Sequence, residues 1–331
     1  MKIWTKVVAA AALAVVSVSG LTALYYGMYL PRTAPPRAGS VPTTPERIER
    51  GKYIFTSVAY CDGCHSERDF TRFAGPVVAG GRGKGLVFEE EGLPGTLAIP
   101  NITSDRETGI GAWTDGEKIR AIRDGIGRDG RALFPMMPYI YYKNMSDYDV
   151  ECLVAYLNTL APVRNRLPRT AMPFPVNYLV RSVPQPVKNV KAPEPGRTAE
   201  YGEYLANLAH CVECHTPADK GQIDESMKFA GGRKFQFPGV SVVSANITPD
   251  PETGIGRWTQ DYFVQRFTLQ RSMVMNGAPQ VTPDKFTLMP WLGFAQMNDD
   301  DLVAIYRYLQ TQSTITNKVA RQAGFTQKAS F

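Results

Sequence analysis

Five landmarks occur twice in this chain, in one order, about 150 residues apart. Gly51-Lys52-Tyr53 leads into Cys61-Asp62-Gly63-Cys64-His65, and Gly202-Glu203-Tyr204 leads into Cys211-Val212-Glu213-Cys214-His215. Asn101-Ile102-Thr103 returns as Asn246-Ile247-Thr248. Thr108-Gly109-Ile110-Gly111, with Trp113-Thr114 one residue on, returns as Thr253-Gly254-Ile255-Gly256 with Trp258-Thr259. Met137-Pro138 returns as Met289-Pro290, and the run from Met145 to Leu157 returns as Met297 to Leu309. A solenoid needs three or more shorter units. Two long ones describe a duplicated domain, and 331 residues suit two domains of ordinary size.

Each half is predicted to open and close with a helix. Val150, Leu153, Val154 and Leu157 fall at helical spacing, with Ser146 at the N-cap and Asp149 where a capping-box acid sits. The second half places Asn298 at the cap and Leu302, Ile305, Tyr306 and Leu309 on the inner face. Gly51 and Gly202 interrupt the opening helices. Glycine costs a helix about 1 kcal/mol, so each needs a reason. Close crossing of the opening and closing helices, near Tyr156 or Tyr308, supplies one. Strand signals are sparse, which gives an all-α expectation. The expected domains are 46–160 and 198–312, with a tail over 313–331.

The connector, 161–197, carries eight prolines, and proline blocks regular structure. Its net charge is +6, against −3 and −4 for the two expected domains. Charge alone favours a solvated linker, with an acidic partner or anionic lipid as the alternative. Pro173-Phe174-Pro175-Val176 is too apolar for open solvent, so the connector is expected to lie along a domain surface. Neither domain is basic, which argues against nucleic acid as a partner.

The N-terminus reads as an export segment over 1–31, followed by a linker over 32–45. Lys2 and Lys6 precede a charge-free run from Val7 to Leu30. As a helix it reaches roughly 36 Å, against a hydrocarbon core of about 30 Å. A signal-peptide core is only about 7–15 residues. Tyr25, Tyr26 and Tyr29 cluster at the far end like an interfacial belt. An uncleaved transmembrane helix is therefore preferred to a signal removed near Ser19.

Two cysteines three positions apart sit on one side of a helical turn and reach the two vinyl groups of one haem. The histidine that follows then points at the iron. Cys61/Cys64/His65 and Cys211/Cys214/His215 both have this attachment spacing, which predicts two covalently bound haems c. Zinc wants four ligands, commonly as two pairs, and neither half offers a fourth. A thioredoxin-like pair sits in a βαβ pattern that this sequence lacks.

The chain has three histidines, His65, His210 and His215, so two bis-histidine irons are impossible. His210 adjoins Cys211 and is tethered on the proximal side of the second haem. Methionine is the remaining usual ligand. Met137 and Met289 hold equivalent positions, and the proline after each stiffens its loop. Met136 competes with Met137 but does not align with Met289. The predicted iron ligands are thus His65, Met137, His215 and Met289. Trp113 and Trp258 are read evenly as donors to haem propionates or as core aromatics. Asn101 and Asn246 are placed similarly but also suit turns. Arg120, Arg123, Arg128 and Arg131 form a cluster that the second half lacks, and solvent-facing side chains are the simpler reading. Cys152 recurs as Ala304, which suits a small buried side chain.

The Asn-Ile-Thr, Thr-Gly-Ile-Gly-x-Trp, Gly127-Arg128-Asp129-Gly130-Arg131, Met-Pro-Tyr and Met-Ser-Asp-x-Asp-Val segments, with Met172-Pro173-Phe174-Pro175-Val176-Asn177, form a recognisable set. The chain resembles the multihaem cytochrome c subunits of bacterial membrane-bound dehydrogenases, over roughly residues 46–312. Those subunits accompany quinoprotein alcohol dehydrogenases, gluconate-type flavin dehydrogenases and molybdenum hydroxylases. Many members carry three haem motifs, and this chain has two. The resemblance implies two tandem class I cytochrome c-type domains, the same axial pairs, and no catalytic site of the chain's own. It also implies a periplasmic dehydrogenase as electron donor and a downstream cytochrome, oxidase or quinone as acceptor. Haem c attachment outside the bacterial inner membrane makes the expected location that membrane, with the haem domains in the periplasm. A subunit feeding a terminal oxidase and a di-haem peroxidase are the competing functions. The second half replaces the Gly-Arg-Asp-Gly-Arg segment with Ser272 to Thr287, so its distal loop is expected to differ.

Overall fold

The computed structural model describes residues 2–88, 95–219, 221–237, 240–282 and 285–320. After the N-terminal helix, Lys2–Leu24, each half is built on a crossed pair. Helix Pro45–Tyr53 packs on Asp147–Leu157, and Ala199–Leu208 packs on Asp299–Gln310. Threonine starts both opening helices: the hydroxyls of Thr44 and Thr198 accept from the amides of Arg47 and Tyr201. The glycines are explained by the crossings. A Cβ on Gly51 would lie 1.9 Å from the carbonyl oxygen of Cys152 and 2.8 Å from Cβ of Tyr156. A Cβ on Gly202 would lie 1.9 Å from the carbonyl oxygen of Ala304, one turn before the expected Tyr308. The small side chains of Cys152 and Ala304, both wholly buried, belong to the same two close approaches.

The caps differ in detail from the sequence reading. Ser146 accepts from the amide of Asp149, but the Asp149 carboxylate turns to other partners, so the capping box is not closed there. Asn298 holds the cap position without a side-chain bond. A full capping box forms instead at Thr114 and Glu117, opening the helix Asp115–Asp124. The closing helix of the second half buries Leu302, Ile305 and Leu309, while half-buried Tyr306 donates to the carbonyl of Trp258 at 2.6 Å.

The two halves share one continuous core, in which Ile54, Phe55 and Leu153 meet Leu205, Leu208 and Leu302. Across it runs a reciprocal pair of bonds. The Tyr53 hydroxyl donates to Asp301 at 2.5 Å and accepts from the amide of Asn298 at 3.0 Å. The Tyr204 hydroxyl donates to Asp149 at 2.6 Å and accepts from the amide of Ser146 at 3.1 Å. Each opening helix therefore caps the closing helix of the other half, an arrangement with local two-fold character. Arg50 adds a two-toothed bond to Asp149, at 2.8 and 2.9 Å, which among the described residues has no counterpart at Asp301.

The all-α expectation needs a correction. Among the described residues there are three two-stranded antiparallel ladders: Leu86–Phe88 with Leu97–Ile99, Ala218–Asp219 with Gln222–Ile223, and Lys234–Phe237 with Val240–Val243. They are two to four residues long, too short for an alternation pattern to stand out.

The connector, though largely exposed, is bonded along the first half. Thr96 and Ala171 exchange backbone bonds at 2.9 and 2.8 Å, and the Thr170 hydroxyl bonds both the amide and the carbonyl of Ala98. Gly95, at φ +98°, admits this approach, since a Cβ there would meet the Ala171 carbonyl oxygen at 2.3 Å. Further along, the amide of Val187 donates to Asp124 and the carbonyl of Val190 accepts from the amide of Asp147. Of the expected tail, residues 321–331 lie outside the described residues.

Candidate functional site

Each Cys-x-x-Cys-His run forms a short helical turn, Asp62–His65 and Cys211–His215. The residue directly before the first cysteine, Tyr60 or His210, has a left-handed backbone, φ +47° or +41°. The two imidazoles are oriented in the same way. Nδ1 of His65 lies 2.9 Å from the carbonyl oxygen of Pro100, and Nδ1 of His215 lies 2.8 Å from that of Ala245. A proton on Nδ1 leaves Nε2 as the free lone pair. Burial pushes both imidazole pKa values down, against the raising effect of those carbonyls, and so favours the neutral, metal-binding form.

Both acceptor carbonyls immediately precede the Asn-Ile-Thr segment, whose asparagines are structural hubs. The Asn101 side-chain oxygen accepts from the amide and hydroxyl of Thr103, and its nitrogen donates to the Thr108 hydroxyl and the Val163 carbonyl. Asn246 repeats every bond, with Thr248, Thr253 and Ile315. These side chains tie the loop that carries the histidine's acceptor to the chain beyond the closing helix. They do more than form turns.

The Met-Pro segments match as well. The carbonyls of Met137 and Met289 accept from the amides of Tyr139 and Trp291, at 2.8 and 2.7 Å. The intervening prolines, at φ −79°, ψ 42° and φ −77°, ψ 57°, make the same inverse γ-like turn. Met137 and Met289 are both partly buried against the core.

A cavity of about 870 Å³ lies in the first half, and Cys61, Cys64, His65, Met136 and Met137 all line it. The donor set of two thiols, a neutral imidazole and a thioether on one apolar-walled cavity fits an attached haem. Trp113 also lines it, half-buried, and Trp258 lies edge-on to Tyr262 at 5.0 Å between ring centres. Among the described residues neither indole N–H has a protein acceptor, which leaves both roles open to them.

Four contributors were not foreseen. Leu167, Arg169 and Met172 of the connector line the cavity, and so does His210 of the second half. The arginine cluster divides: Arg128 and Arg131 line the cavity half-exposed, whereas Arg123 is buried and paired with Asp147 instead of facing solvent. The second distal loop is held differently, as expected from its sequence. The amide of Phe73 donates to Pro279, the amide of Val281 donates to Thr71, and Arg72 donates to Ala278, each at 2.9 Å.

Two attachment turns, each with an oriented histidine and a matching Met-Pro turn, define a c-type cytochrome with two covalently bound haems. The chain belongs to the cytochrome c family, whose model matches residues 48–161 and again 199–313. Among curated proteins it is similar to the cytochrome c subunit of a quinone-dependent alcohol dehydrogenase from Gluconobacter oxydans, 29% identical over 81% of this chain and 55% of the relative. It is also similar to a nicotinate dehydrogenase subunit from Pseudomonas putida, 34% identical over 74% of this chain and 20% of that protein. A "Diheme cytochrome c-type" protein of Cereibacter sphaeroides is 34% identical over 60% of this chain and 67% of its own length. The chain thus spans only about half, or less, of the first two relatives' lengths.

Proposed function

We propose that this chain is an electron-transfer subunit that relays electrons from a periplasmic dehydrogenase to the respiratory chain. The observation that carries the reading is the packing of two haem-attachment turns in one continuous core. Tyr60, beside Cys61, packs on Gly293 and Phe294, just after Met289-Pro290, and Tyr141, just after Met137-Pro138, donates to Glu213 at 2.8 Å. One polypeptide thereby holds two redox sites as neighbours, the requirement for passing electrons through it rather than storing them.

In this reading His65 and Met137 ligate one iron and His215 and Met289 the other. Cys61, Cys64, Cys211 and Cys214 hold the thioether bonds, with Trp113 and Trp258 as propionate donors. The haem supplies reversible one-electron chemistry. The protein orients each imidazole through Pro100 or Ala245. The domains are taken as 46–160 and 198–312. The helix Ile3–Tyr29, 27 residues with mean hydropathy 2.2 and an apolar stretch that is nowhere buried, anchors the chain in the inner membrane with both haems on the periplasmic side. The relatives' names support a dehydrogenase as partner. Purification from detergent-solubilised membranes, with the bound proteins identified by mass spectrometry, tests it. A dehydrogenase subunit that reduces both haems on addition of its substrate is the expected result. A terminal oxidase in its place, or a chain that purifies alone and turns over peroxide, overturns it.

A further inference from the structure

The connector turn Val176–Ser182 follows Phe174 and carries side chains that nothing in the fold covers. Phe174 is 77% exposed, Leu179 52% and Tyr178 41%. On the same turn, Arg181 reaches back to the end of the N-terminal helix. Its Nε donates to the carbonyl of Leu30 at 3.0 Å and its Nη2 to that of Gly27 at 3.1 Å. A guanidinium on the last carbonyls of a helix satisfies acceptors that the helix itself leaves open. It also fixes the connector turn at the level where that helix ends, beside Tyr25 and Tyr29. Exposed lysines and arginines flank the turn in sequence: Arg166, Lys188 and Lys191.

Resting on the reading of Ile3–Tyr29 as a membrane span, we infer that the connector turn is a second membrane contact. Phe174, Tyr178 and Leu179 enter the head-group layer on the outer face, and the flanking basic residues meet anionic lipid. Three observations choose lipid over a protein partner. The turn is bonded to the outer end of the span. Its exposed side chains are aromatic and aliphatic, the kind that sit at a bilayer interface. The charge that flanks it in sequence is of the sign that anionic head groups attract. The first haem's cavity shares this segment, since Asn177 and Val180 line it. The contact therefore holds the first haem at the membrane face and makes it the nearer of the two to anything dissolved in the bilayer.

Nitroxide labels on the full-length holoprotein in phosphatidylglycerol-containing proteoliposomes test this. Labelling is selective, because four of the five cysteines carry haem and Cys152 is buried. Single variants Phe174→Cys, Leu179→Cys, Val15→Cys and Met275→Cys are compared by the ratio of collisions with oxygen to collisions with a water-soluble nickel chelate. Val15 reports the span, and Met275, 79% exposed on the second half, reports water. The expected ratio at 174 and 179 is several-fold above that at 275 and approaches that at 15. Ratios at 174 and 179 equal to that at 275, with 15 in lipid, overturn the contact and leave the anchor standing. A water-like ratio at 15 overturns the anchor and this inference with it. Labels at 174 and 179 shielded from both probes signal a protein surface, a second copy included, and overturn the lipid assignment. Should either variant fail to load two haems, Tyr178→Cys takes its place.

Discussion

The two halves of this molecule are copies in plan and unlike in cover. Both place a glycine against the closing helix, orient a histidine through a carbonyl one residue before Asn-Ile-Thr, and set methionine ahead of a Pro-centred turn. Around that shared frame the surroundings diverge. The first cavity is walled in part by the connector, through Leu167, Arg169 and Met172. The second distal loop is gripped by residues 71–73 of the first half, at Ala278, Pro279 and Val281. Duplication preserved what holds a haem, and what surrounds the haem was free to change. The two sites are therefore expected to differ in potential and access while sharing their attachment chemistry.

The most forceful way to break the comparison is to remove the distal thioethers. Met137→Ala should abolish or lower one redox transition and open one iron to carbon monoxide, and Met289→Ala should do the same to the other. Potentiometric titration and carbon monoxide difference spectra check both. If Met136→Ala opens an iron and Met137→Ala does not, the ligand of the first site is the neighbouring methionine.

Next in size is the shared frame itself. Gly51→Ala and Gly202→Ala each drive a methyl group into a backbone carbonyl at 1.9 Å. Each should cost more than about 3 kcal/mol or prevent folding, because backbone on both sides blocks relief. Equal losses in chemical denaturation sharpen the likeness of the halves. A variant as stable as the parent refutes the crossing.

Smaller and unequal effects should come from the reciprocal tyrosines. Tyr204→Phe removes a bond to a carboxylate that Arg50 still holds, whereas Tyr53→Phe strips Asp301 of its only described hydrogen bond from a side chain. About 1 kcal/mol is expected for the first and about 2 kcal/mol for the second, read as a shift in denaturation midpoint. The reverse order would show that the Arg50 pair is what depends on Tyr204.

The smallest effect belongs to the first half alone. Burial pushes the Asp124 carboxyl up to about 6, while the Val187 amide, Arg123 and Arg120 pull the other way. In the unfolded chain it titrates near 3.9, at about the ordinary value. The folded protein therefore binds the extra proton between those values. Its contribution to stability is complete below about pH 4 and is lost as pH rises through about 6. Asp124→Asn should remove that decline, on the order of 1 kcal/mol, in midpoints measured from pH 4 to pH 7.

Much of the frame was legible because it is written in residue types with few other uses. A glycine inside a helix, a Cys-x-x-Cys-His spacing and a Met-Pro pair each carry a narrow physical meaning, and each occurs twice. The reciprocal bonds were legible in principle, since Tyr53 recurs as Tyr204 and Asp149 as Asp301, but a recurring pair does not say that it pairs across halves. The hairpins were missed because ladders of two to four residues carry no period. The lining supplied by the connector was hidden for a different reason. Its course is set largely by backbone bonds, as at Thr96 and Ala171, and backbone atoms leave no signature in side-chain identity.

The crossed dependence of the halves bears on how the molecule is made. On the proposed reading, a chain threaded outward from its N-terminus presents Cys61 and Cys64 for haem attachment before the second half has emerged. Until then Tyr53 has no Asp301, Tyr60 has no Gly293 to rest on, and Asp149 lacks Tyr204. The first half is thus left open through the interval in which its thiols must be reached, and arrival of the second half closes it. On that reading the duplication carries an order of maturation, in which the earlier copy is completed by the later one.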